Sequence, residues 1–209
     1  MLASQYALGL ARTQQVPSGT TIYAPGEIGC PVMRVLEGTV KLLAHLENGD
    51  SRIVRIKRRG DWLGLQALAN GAVPHTAVAV GEVLIERWPA ERLRGLIDGD
   101  RQLLDQLLRQ WQDEVAEADR WLTEFSTGAV PARIARLINY LTEFAPFADE
   151  DVIQLLTVHE IGEIVSARPE TVSRVLAAMK REAVLQRQRT GETGTYRVDR
   201  ERLRSLLEG

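Results

Sequence analysis

The chain has 209 residues, 44% hydrophobic and 26% charged, which suits a soluble globular protein with one large or two small domains. No apolar run approaches the ~20 residues of a membrane span and the first residues, MLASQYALGLARTQQ, lack a signal peptide's apolar stretch, so a cytoplasmic protein without membrane contact is expected. The single cysteine, Cys30, excludes an intramolecular disulfide, and the net charge of −2 argues against a uniformly basic nucleic-acid binder.

From about Thr20 to Trp88 the chain offers short β-rich runs punctuated by glycine: TTIYAPGE, VMRVLEGTVKLLAHLENGD, SRIVRIKRRGDWLG and HTAVAVGEVLIERW. Asn48-Gly49, between alternating segments, is a strong hairpin signal, and strands at this spacing predict a small antiparallel barrel or roll. The pattern changes at Pro89. From Glu91 to Phe125 it turns helical, and Leu104, Leu107, Trp111, Val115, Ala118, Leu122 and Phe125 recur at steps of three and four for about three heptads. Such a seam fits a core helix or half of a two-helix dimer interface, and the very polar opposite face favours the dimer.

Ser126-Thr127-Gly128 interrupts this helix and reads as a hinge. VPARIARLINYLTEFA then predicts an amphipathic helix with Ile134, Leu137, Ile138 and Leu141 on one face, and Asp149-Glu150-Asp151 a solvated turn. Thr157 with Glu160 forms a capping box that opens a short helix burying Ile161, Ile164 and Val165. Ser166-Ala167-Arg168 makes a tight turn, and ARPETVSRVLAAMKR continues as a second helix with Pro169 in its first turn. LQRQRT, the turn GETG and TYRV form a hairpin with arginines near its tip, and VDRERLRSLL closes the chain as a helix. Two helices, a tight turn and a hairpin make a winged helix-turn-helix.

On the second of those helices Glu170, Ser173 and Arg174 share one side, opposite Val172, Val175, Leu176 and Met179. Taken alone, Glu170 and Arg174 would be a surface ion pair worth about 0.3–0.5 kcal/mol. The surroundings favour more. Between residues 168 and 197 the cations Arg168, Arg174, Lys180, Arg181, Arg187, Arg189 and Arg197 outnumber Glu170, Glu182 and Glu192 by four, the asymmetry expected of a compact DNA-binding module.

In this order, YAPGE, VLEGTVKL, RRGDWLGLQAL, the long helix, HEIGEIVSARPETVSR and the hairpin resemble the Crp/Fnr family of bacterial transcription regulators over nearly the whole chain. The resemblance implies an α+β fold: a cyclic-nucleotide-binding-like β-roll over residues 1–98, a dimerisation helix and hinge over 99–127, and a winged helix-turn-helix over 128–209. It implies a homodimer that binds double-stranded DNA, with RNA polymerase as a further partner. Glu170 and Arg174 match the family's base-reading acid and arginine, and Ser173 a contact of the Fnr-like branch. Chemistry agrees, since arginine grips guanine O6 and N7 bidentately and glutamate accepts from cytosine N4. Arg168, Thr171, Lys180, Arg187 and Arg189 are expected to flank them on DNA. Pro169 stands where the cyclic-AMP receptor branch has a base-contacting arginine, so TTGA-like half-sites are expected in place of TGTGA.

Family members that bind cyclic AMP hold its phosphate with an arginine before serine or threonine, and its ribose with a glutamate after glycine. The corresponding positions here are His75-Thr76 and Gly64-Leu65, which place any effector pocket but lack both charged partners. Cyclic AMP is therefore not the expected effector. An oxygen-sensing iron–sulfur cluster needs four cysteines, and His45, His75 and His159 lack metal-ligand spacing, so no metal or cofactor is expected. An unidentified ligand, a haem held by a histidine or Cys30, and the absence of any effector remain open. No nucleophile–base pair or phosphate loop suggests an enzyme. A winged-helix module that binds protein without specific DNA binding is the alternative of a different class.

Overall fold

The computed structural model describes residues 11–143, 151–188 and 194–207. The chain forms two compact units, Met1–Ala118 and Asp119–Gly209.

In the first unit, β1 (Arg12–Val16), β2 (Thr21–Tyr23), β3 (Val32–His45), β4 (Ser51–Lys57), β5 (Trp62–Leu63) and β6 (Thr76–Trp88) form one antiparallel sheet. Its spine is the pairing of the two longest strands, which runs from Val32 opposite Trp88 to Leu43 opposite Thr76. Register shifts on either side of Glu37 bend this pair into a roll. Gly38 sits inside the bend at φ +84°, and a Cβ there would lie 2.4 Å from the Glu82 carbonyl oxygen. Only glycine satisfies both conditions.

The expected hairpin joins β3 to β4, with Gly49 at φ +87° and the Leu46 amide donating to the Asp50 carbonyl at 2.8 Å. β1 departs from the sequence expectation, which began the strands near Thr20. Its RTQQ stretch is exposed and carries no apolar alternation, and it is a strand because β6 pairs with it. The roll buries Val32, Met33, Val35, Val40, Ile85 and Trp88 in its core.

A 3-10 turn, Leu65–Ala69, precedes β6, and α1 (Ala90–Gly99) and α2 (Arg101–Ser126) follow it. Asp100 divides what reads as one helical run: its backbone is extended and its Oδ1 accepts from the amides of Gln102 and Leu103 at 2.9 and 3.1 Å. That is N-cap chemistry. Leu93, Leu103 and Leu107 join the roll's core.

The second unit takes in α2 from Asp119 onward, α3 (Val130–Thr142), β7 (Val152–Gln154), α4 (Val158–Val165), α5 (Pro169–Arg181), β8 (Leu185–Arg187), β9 (Thr195–Val198) and α6 (Arg200–Leu207). The strands form a sheet in the order β7-β9-β8. β7, three residues beside the acidic run, gives no sequence signal of its own. Trp121, Phe125 and Tyr140 meet edge to face with ring centroids 5.1–6.0 Å apart, the arrangement ring quadrupoles favour. Arg120 grips Glu143 with two hydrogen bonds of 2.6 Å. Those bonds, and secondarily one to Glu124, raise the guanidinium pKa above its ordinary value against the opposing effect of burial. At the expected hinge, Gly128 takes φ +84° and Arg136 donates to the carbonyls of Glu124 and Thr127, which closes the end of α2.

Candidate nucleic-acid interface

Local chemistry at each step positions the exposed face of α5. The capping box of α4 is present: Thr157 Oγ1 accepts from the Glu160 amide at 3.2 Å, and Glu160 Oε2 accepts from the Thr157 amide at 3.0 Å. Ser166 ends α4 in the left-handed conformation, φ 51°, and the Ala167 amide donates back to the Gly162 carbonyl at 3.1 Å. A Cβ on Gly162 would lie 2.7 Å from the Ala167 carbonyl oxygen, so the tight turn requires glycine there. Arg168 is extended, Pro169 supplies the first helical position, and the Val172 amide donates to Arg168 O at 3.1 Å.

Val172, Leu176 and Met179 are buried, which turns Glu170, Ser173, Arg174, Ala177, Lys180 and Arg181 outward. Thr171 is half-buried and Arg168 exposed. The ion pairs of the described residues lie elsewhere, so Glu170 and Arg174 do not satisfy one another and both stand in solvent. Lys180 lies over the Tyr196 ring at 4.7 Å, tying α5 to β9. Arg187 is exposed on β8, opposite Tyr196. Arg189 and most of the hairpin tip lie outside the described residues.

Residues 13–100 match the cyclic nucleotide-binding domain and residues 132–206 the Crp-like helix-turn-helix domain. The chain belongs to the Crp/Fnr family of transcription regulators. Among relatives of this Crp/Fnr chain, the transcriptional regulator SdrP of Thermus thermophilus is 29% identical over 201 residues, 94% of each protein. The fumarate and nitrate reduction regulatory protein of Escherichia coli is 25% identical over 179 residues, 84% of this chain and 72% of that one. FixK2 of Bradyrhizobium japonicum shares the fold, with a TM-score of 0.83 and 21% identity across 94% of this chain and 97% of its own. The regulator's helix-turn-helix is thus a DNA-binding one, and no helix among its described residues is long and apolar enough to cross a membrane.

The Crp/Fnr regulator's central helix exposes Leu104, Leu108, Trp111, Val115 and Leu122, the last at 66%. Ala118 is half-buried between them in sequence. Two members of the expected seam face the chain's own cores: Leu107 is 6% exposed inside the roll and Phe125 1% exposed in the aromatic cluster. Leu108 occupies the outward position that periodicity assigned to Leu107. Steps of three and four cannot separate two adjacent leucines.

In the roll, Tyr23, Lys57, Trp62, Gly64, Leu65, Trp111 and Glu114 are among the residues lining a cavity open to solvent. Gly64 and Leu65 line it, whereas His75 and Thr76 do not. The Thr76 hydroxyl is held by His45 Nε2 at 2.8 Å, and His45 Nδ1 meets the Ser51 hydroxyl at 3.0 Å. Lys57, 5% exposed, pairs with Glu114. Sequence reasoning missed both members. Burial pushes the Cys30 thiol pKa up, assisted by Glu27.

Proposed function

We propose that this regulator is a homodimer that reads an inverted repeat of TTGA-like half-sites, spaced about one helical turn apart, through the N-terminal turns of α5. The observation that carries the reading is the outward face of Glu170, Ser173 and Arg174, free of internal ion pairs at the start of the second helix of a helix-turn-helix. A bidentate arginine and an acceptor carboxylate on neighbouring turns read a G·C pair and its neighbour. Arg168, Thr171, Arg187 and Arg189 supply or flank phosphate contacts, while Lys180 is shared with Tyr196. The second subunit is supported by the apolar stripe Leu104, Leu108, Trp111, Val115 and Leu122, too regular for an isolated solvent-facing helix.

Cyclic AMP does not suit the roll. Leu65 offers the ribose no acceptor, and neither of the two positions expected to hold the phosphate, His75 and Thr76, lines the cavity, Thr76 being engaged by His45.

Fluorescence anisotropy on duplexes carrying TTGA or TGTGA inverted repeats tests the reading. TTGA is expected to bind more tightly, with affinity falling steeply as salt is added. Arg174→Ala is expected to cost about 1–3 kcal/mol and to relax selectivity at the guanine. Preference for TGTGA would overturn the half-site, and binding indifferent to salt and sequence would favour a protein-interaction module.

A further inference from the structure

We infer that the Lys57–Glu114 ion pair is built into the wall of the roll's cavity, where it opposes anionic effectors and holds the first half of α2 on the sheet without any ligand. Lys57 ends β4, opposite Val40, and Glu114 lies in the middle of α2. Both line the cavity with Trp62 and Trp111. The Lys57 side chain is 7% exposed and that of Glu114 24%. A cation so deeply buried requires a counter-charge, and the chain supplies one from its own helix.

Two consequences follow from the geometry. An anion entering the cavity to reach Lys57 would have to displace Glu114 and then lie beside that carboxylate, so like charges oppose its binding. The pair also limits how α2 can rotate, because Trp111, one turn before Glu114, lines the same cavity, while Val115, the next residue, belongs to the exposed stripe. Lys57 is therefore a positioning residue: through Glu114 it presents Val115 outward in the effector-free protein. This last step rests on the homodimer proposed above, whereas the pinning of the helix and the exclusion of anions do not.

The experiment uses the full chain without DNA. Hydrogen exchange of the backbone amides of residues 108–117 is compared among wild type, Lys57→Met and Glu114→Gln. Each single variant is expected to exchange there at least about tenfold faster, with amides of α4 and α5 unchanged. Rates within about twofold of wild type would overturn the clamp. Should a single variant fail to fold, the double variant Lys57→Met with Glu114→Leu decides, since it removes both charges together: recovery supports the pair, and continued unfolding assigns the loss to packing. Wild type titrated with cyclic AMP or cyclic GMP is expected to show no rise in melting temperature, and stabilisation by either overturns the exclusion. Sedimentation of Leu108→Glu keeps the readings apart. If that variant stays associated, the dimer seam is wrong; if it dissociates while Lys57→Met exchanges like wild type, only the clamp is.

Discussion

Single residues carry the most specific chemistry of this regulator, and they differ in how visible they are beforehand. Glu170, Ser173 and Arg174 are legible because helical spacing alone puts them on one face, and their solvent-facing placement adds that Glu170 and Arg174 do not neutralise each other. Lys57 and Glu114 are invisible in the sequence, being 57 residues apart and ordinary in their local patterns. His75 illustrates a third case, a residue whose neighbours change its chemistry. Burial holds its imidazole below the ordinary 6.5, with Arg55 adding repulsion. A depressed histidine pKa means that the unfolded chain takes up the proton first, so its contribution to stability is complete above pH 6.5 and is lost as pH falls through the folded value. His75→Gln is accordingly expected to flatten the decline of the urea midpoint below pH 6.5. An unchanged pH profile would contradict the assignment.

At the scale of elements, the helix-turn-helix is set by three local devices: the Thr157–Glu160 capping box, the left-handed Ser166, and Gly162 beneath the Ala167 carbonyl. The first is plain in the sequence because its spacing is fixed. The third is not, since a mid-helix glycine reads only as a weak position. Gly162→Ala is expected to destabilise the winged unit by about 1–3 kcal/mol, because its Cβ meets backbone that cannot move independently of the turn. Chemical denaturation measures the loss, and DNA affinity should fall with it. The pairing of β8 with β9 is expected from LQRQRT and TYRV on either side of GETG, whereas β7 and β1 exist only through the strands they pair with.

Over the whole molecule, the central helix shows where one-dimensional patterns lose resolution. Leu107 and Leu108 are equally apolar, yet Leu107 is in the roll's core and Leu108 is 56% exposed. Leu107→Ala is expected to cost about 2–5 kcal/mol of stability, as for other buried leucines. Leu108→Glu is expected to leave the melting temperature of the monomer nearly unchanged while abolishing dimerisation and inverted-repeat binding, read by sedimentation and anisotropy. If both leucine variants behaved alike, the assignment of inner and outer faces would be wrong. The mildly acidic total charge and the basic stretch from 168 to 197 also belong to this scale, because steering toward DNA depends on where charges lie and not on their sum.

The sequence by itself determined the order of elements, the roll, the long helix, the winged helix-turn-helix and the outward polar face of α5. Those follow from period, caps and turns, which are short-range properties of the chain. Tertiary structure alone decided that Glu114 neutralises Lys57, that His45 engages Thr76, and which leucine of the seam faces out. Each of these joins residues brought together only when the β-roll closes and α2 packs on it, and burial, which sets their charge balance and exposure, exists only in the folded chain.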